Sequence, residues 1–181
     1  IKTSWNLKLL YKSAEDPQIE KDLKTIEAFS TKFEKKYRGK PFAKTPQALL
    51  GVLNELEKAN ELTDKISPSH YFHLKTDLNA DDNKSFAIAT KYDERLTEAG
   101  NKTKFIGLEI AKIPLKEQKK FINYPGLQPY KYLLTRIFIH AKHNLTEGEE
   151  QLEDLLGSPG FGMWIETQEK LLNKQTINFE G

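Results

Sequence analysis

Four histidines fall in two pairs, His70 with His73 and His140 with His143. Positions three apart share a helix face, so each pair could present two imidazoles to one metal ion. The helical zinc motif asks for more: histidines four apart with a glutamate between them as general base, and a further protein ligand. Neither pair meets that pattern. His73 has Asp77 four residues on, but spacing indicates no third ligand. The expectation is therefore surface or half-buried histidines and no metal site. Zero cysteines remove thiolate zinc sites, disulfides and thiol nucleophiles together.

Carboxylates are paired at Asp81-Asp82, Asp93-Glu94 and Glu149-Glu150. Acid and base catalysis would need two such groups with opposed pKa values, and acids at helix starts already complement the helix dipole. The run Gly157-Ser158-Pro159-Gly160-Phe161-Gly162 is glycine-rich ahead of a helix, yet it follows a helix instead of a strand and lacks Gly-Lys-Ser/Thr. It reads as a break and not as a phosphate loop. Asn101-Lys102-Thr103 and Asn144-Leu145-Thr146 match glycosylation acceptors, but no secretory signal accompanies them, and caps and loops account for both. No residue is therefore assigned as catalytic, cofactor-binding or metal-ligating.

The elements that would position any such groups are helices. Asp16-Pro17 is an N-cap followed by proline at the first helical position. Ile19, Leu23, Ile26, Phe29 or Phe33, and Tyr37 then lay one apolar stripe to a stop at Gly39. Thr45-Pro46 repeats the start signal for a helix reaching Ser67-Pro68, and His70 to Leu78 resumes it. Asp82 or a neighbour caps a third long helix through Phe86, Ala89, Tyr92, Leu96, Phe105 and Leu108, with Gly100-Asn101 as a bend. Shorter helices follow over Leu115 to Asn123 and from Pro129 to about His143. Thr146-Glu147-Gly148-Glu149 fits a capping box for a helix carrying Leu152, Leu155 and Leu156. The last helix, Phe161 to Lys174, surrounds Trp164, Ile165, Leu171 and Leu172. Aromatics such as Tyr71, Phe72, Phe105, Phe121, Tyr132 and Phe138 fall largely on these stripes and read as core.

The fold class is thus all-α: an elongated antiparallel array of about six to eight helices. Residues 1–174 form one helical domain, and residues 175–181 begin a strand over Thr176-Ile177-Asn178-Phe179. One strand cannot satisfy its own backbone, so its partner is expected beyond Gly181 or in another chain. The opening Ile1-Lys2-Thr3 carries neither an initiator Met nor a signal peptide, and both ends read as boundaries within something longer.

Across 181 residues, 28 Lys and Arg face 26 Asp and Glu, with the signs interspersed. Such mixing argues against the one-signed stripe of a nucleic-acid binder. The densest basic run, Lys32 to Lys40, falls at a helix end where cations complement the dipole. No stretch approaches the roughly eighteen apolar residues of a membrane span.

The running text resembles the N-terminal half of oligoendopeptidase F, a branch of the thimet-type zinc peptidases. The resemblance is carried by Trp5-Asn6-Leu7-Lys8-Leu9-Leu10-Tyr11 before Asp16-Pro17, and by the helix ending Phe33-Glu34-Lys35-Lys36-Tyr37-Arg38-Gly39-Lys40. Phe105-Ile106-Gly107-Leu108-Glu109-Ile110-Ala111, Pro129-Tyr130-Lys131-Tyr132-Leu133, His143 to Glu150 and Trp164 continue it. The sequence departs from the family's usual text at Ser67-Pro68-Ser69-His70-Tyr71 and at Leu156-Gly157-Ser158-Pro159-Gly160. The family's His-Glu-x-x-His motif has no counterpart here, so no catalytic role is carried onto any residue. The resemblance implies a cytoplasmic parent enzyme that hydrolyses short peptides with one zinc ion, bound in a catalytic half beyond this segment. This segment would then wall the substrate channel and limit substrate size. The competing reading is a stand-alone helical module that docks a peptide or partner helix in an apolar groove.

Overall fold

In a computed structural model of the chain, residues 5–65, 68–173 and 175 are described. The strand expected at Thr176–Phe179 lies outside them. Among the described residues the chain forms nine α-helices and no strand. They are α1 (Pro17–Tyr37), α2 (Pro46–Lys65), α3 (Pro68–Leu78), α4 (Asn83–Asn101), α5 (Phe105–Ala111), α6 (Leu115–Ile122), α7 (Lys131–His140), α8 (Glu147–Gly157) and α9 (Met163–Asn173).

The start signals act where they were read. The Asp16 carboxylate accepts from the Gln18 N–H at 2.9 Å, and Pro17 takes the first helical position. Asp82 caps α4, its Oδ1 accepting from the Ser85 N–H at 3.0 Å. At α8 the capping box closes: Thr146 N–H donates to Glu149 Oε2 at 2.8 Å and Glu149 N–H returns to Thr146 Oγ1 at 3.4 Å. Gly39, at φ 71°, supplies the left-handed residue that ends α1.

Three boundaries differ from expectation. The run 82–110 is two helices, because the chain turns at Lys102–Lys104, where the Thr103 N–H and hydroxyl both bond the Gly100 carbonyl. The segment opened by Pro125 is a 3-10 turn to Tyr130, and α7 starts only after Pro129 and Tyr130. Gly157 to Gly162 does not break the helix: Ser158–Gly162 forms a wider π turn that passes α8 directly into α9. The array is also not uniformly antiparallel. Ser69 and His73 on α3 reach Asp93 while Lys75 reaches Asp82, an antiparallel pair. Along α1 and α4 the contacts advance together, from Glu20 and Glu27 at Arg95 to Thr31 at Lys102, so these two run parallel. The intervening α2 and α3 return the chain to its starting end.

Two cores form. One gathers Phe33, Leu49, Val52, Phe105, Ile110 and Phe121 with neighbours from α1, α2 and α5 to α7. The other gathers Tyr11, Ile19, Tyr71, Phe72 and Ala89. Ring contacts run through each: Phe29, Phe33, Tyr37, Phe42 and Phe105 succeed one another at 4.7–6.2 Å in the first. Tyr11, Tyr71, Phe72 and Tyr92 do so at 5.1–5.5 Å in the second.

Charge ties the outer faces. Arg95 on α4 forks onto two carboxylates of α1, reaching Glu27 at 2.7 and 3.0 Å and Glu20 at 2.9 and 3.0 Å. Arg38, at the end of α1, bonds Glu34 at 2.9 Å and Glu147 at the start of α8 at 2.6 Å, with its guanidinium 4.6 Å from the Phe105 ring centroid. Hydrogen bonds from Arg95 hold the Glu20 carboxyl below its usual pKa. Arg95→Met is expected to lower stability by about 1–2 kcal/mol in urea titration at neutral pH, the scale of charge-assisted hydrogen bonds on a partly exposed pair. Because the folded-state pKa of Glu20 is depressed, that difference is present above the unfolded carboxylate pKa and shrinks as pH falls through the folded value.

Candidate functional site

The histidines part company. His70, His140 and His143 are exposed, whereas His73 is half-buried against α4. His73 Nε2 lies 2.7 Å from Asp93 Oδ2, and the Ser69 hydroxyl donates to the other oxygen of the same carboxylate. The carboxylate therefore sits between serine and imidazole. A serine nucleophile needs the imidazole beside its hydroxyl, so this Ser–Asp–His order clamps α3 to α4 and activates nothing. The hydrogen bond to Asp93 raises the His73 pKa against the opposing effect of burial, and the carboxylates of Glu166 and Asp77 add to it. Among the described residues no group of three His, Cys, Asp or Glu side chains could hold a metal ion.

The acidic pairs have structural work. Asp82 caps α4 and Glu149 closes the α8 capping box, where Thr146 lowers its pKa. Asp93 takes Ser69 and His73, and Glu150 accepts from the Leu145 N–H at 3.1 Å and pairs with Lys104 at 3.5 Å. The glycosylation-type Asn101 is buried at the end of α4.

The remaining candidate is a surface. Helix α8 buries none of its side chains, and Leu152, Leu155 and Leu156 are exposed. Trp164 is 76% exposed, and Ile165, Leu171 and Leu172 join it. Tyr132, expected in the core, is 78% exposed on α7. Helix α9 meets α3 and α4 through its charged side instead: Lys170 Nζ stands 3.2 Å from the Phe86 ring centroid, and Glu166 and Glu169 line a small cleft with His73 and Asp77. Tyr71, Phe72, Phe105 and Phe121 are buried as read. Periodicity marks an apolar face but is blind to whether anything covers it, so the exposure of α8 and α9 left no separate signal in the sequence.

A helical segment with two closed cores and a run of uncovered apolar helix faces at its C-terminal end is a building block whose surface is shaped for packing. Residues 109–173, from the end of α5 through α9, match the oligopeptidase F family. A protein described as an oligoendopeptidase F homolog from Borreliella burgdorferi is 27% identical over 149 residues, covering 82% of this chain and 24% of that protein. Both likenesses point to the N-terminal part of an oligoendopeptidase F-type protein, and the chain spans about a quarter of the length of that curated relative. No solved structure matches it.

Two outcomes follow from this geometry. Because the His73–Asp93 pair raises the folded-state pKa, its stabilisation is fully present below the unfolded histidine pKa and is lost as pH rises through the folded value. His73→Gln should therefore lower the melting temperature more at about pH 6 than at about pH 8. Trp164→Ser and Leu171→Ser, at exposed positions, should each change unfolding free energy by no more than about 0.5 kcal/mol while increasing solubility.

Proposed function

We propose that this chain is the non-catalytic N-terminal segment of a zinc metallo-oligopeptidase that hydrolyses peptide bonds in short peptides. The observation that carries the reading is a coincidence of place: the stretch that matches the oligopeptidase F family, 109–173, contains the helices whose apolar faces are uncovered. A segment of a larger enzyme keeps such faces for the polypeptide packed beside it. The rest of the enzyme would supply the zinc ion and the glutamate base, since the four histidines here form no His-Glu-x-x-His.

In this reading the helices form a wall of the substrate channel, and the wall works by exclusion. A deep channel between rigid helical layers admits an extended oligopeptide and rejects a folded protein. None of the described helices is long and apolar enough to cross a membrane. The exposed apolar faces fit a stand-alone peptide-binding module as well, and one experiment separates the two. The full-length gene product should cleave a quenched short peptide, lose that activity with a zinc chelator and leave a folded protein intact, while the 181-residue chain shows no turnover. Chelator-sensitive hydrolysis by the 181-residue chain alone, or a full-length product without peptidase activity, would overturn the assignment.

A further inference from the structure

Between α4 and the α8–α9 arm lies a cleft of 380 Å³, within the range of ligand pockets, about 300–1,000 Å³. Its two walls differ in chemistry. The α4 wall presents Thr90, Glu94, Thr97 and Glu98 beside Phe86, and the opposite wall presents Leu155, Pro159 and Met163 between Asp154 and Glu166. A helix pair that closed on itself would interdigitate apolar side chains along this seam. Here threonines and glutamates face apolar groups across open space.

Lysines bridge the cleft at both ends. Lys104 Nζ bonds Asp154 at 2.6 Å and the Glu150 carbonyl at 3.0 Å, and Lys170 caps the Phe86 ring from α9. These ties fix the walls and leave the middle open. Of the four carboxylates on the cleft, Asp154 is neutralised by Lys104. No ion pair of Glu94 or Glu98 forms among the described residues, and Glu166 acts on His73 from the neighbouring cleft without a direct ion pair.

We propose that the cleft between α4 and the α8–α9 arm is a docking site for a basic peptide, which inserts an arginine side chain between the glutamates of α4 and the apolar wall of the arm. Charge complementarity selects the occupant. An apolar peptide would strip water from Glu94, Glu98 and Glu166 without compensation. An acidic one would be repelled by them. Arginine satisfies both walls: its guanidinium donates five N–H groups in a fork that matches carboxylates, and its aliphatic stem covers Leu155 and Met163. The site lies on this chain alone, so it stands or falls independently of the zinc-peptidase reading.

The test is fluorescence anisotropy of the 181-residue chain with a labelled peptide, acetyl-Gly-Leu-Arg-Leu-Gly-amide, and with its citrulline counterpart, which keeps the shape and loses the charge. Saturable binding is expected for the arginine peptide. It should weaken about tenfold for citrulline, and about tenfold again as the salt-sensitive part is lost in the double variant Glu94→Gln with Glu98→Gln. Both residues are exposed, so circular dichroism of that variant should match the parent. Neutralising Glu61 and Glu153, exposed and outside the cleft, should leave affinity unchanged. Equal affinity for the two peptides, an unchanged affinity in the α4 double variant, or no saturation at millimolar peptide would overturn the proposal.

Discussion

One apolar stripe on α1 is the constraint on which the rest of the molecule is arranged. Ile19 belongs to the core shared with α3 and α4, and Phe33 to the core shared with α2, α5, α6 and α7. Leu23 and Ile26 are buried between them. A 21-residue helix spans about 32 Å at 1.5 Å per residue, so the two clusters are held apart at a distance set by a single rigid element. Arg95 fixes where α4 lies along that element by its fork onto Glu20 and Glu27, and Lys102 at Thr31, further along both helices, makes the pairing parallel.

Much of this was legible because it is written in local chemistry. Asp16-Pro17, Asp82, Gly39 and the Thr146 capping box are side-chain and backbone devices that act over three or four residues, and each appears where its residues predict. What escaped was set over longer range. The glycines at 157, 160 and 162 have the composition of a break, yet a π turn absorbs them because helices on both sides propagate through it. Tyr132 and Trp164 lie on periodic faces, and periodicity carries no record of what stands opposite. The cleft between α4 and the arm was equally hidden, since it depends on which faces of two helices distant in sequence meet.

The α8–α9 arm inverts the usual arrangement of an amphipathic helix. Its contact with the body runs through Lys104 to Asp154, Arg38 to Glu147 and Lys170 to the Phe86 ring, with Leu155 and Met163 on the cleft to α4, while Leu152, Leu156, Leu171 and Trp164 are exposed. Such a helix is held where it is largely by charge and leaves most of its apolar side chains exposed. The cleft behind it stays open, because Leu155, Pro159 and Met163 meet chiefly threonines and glutamates of α4 instead of an apolar ridge.

The Arg38–Glu147 bond joins positions 109 apart in the chain. On a ribosome that releases the polypeptide from its N-terminus, Arg38 emerges long before Glu147 exists. The bond therefore closes only after the chain between the two positions has been made, onto a guanidinium that Glu34, four residues before it, also holds.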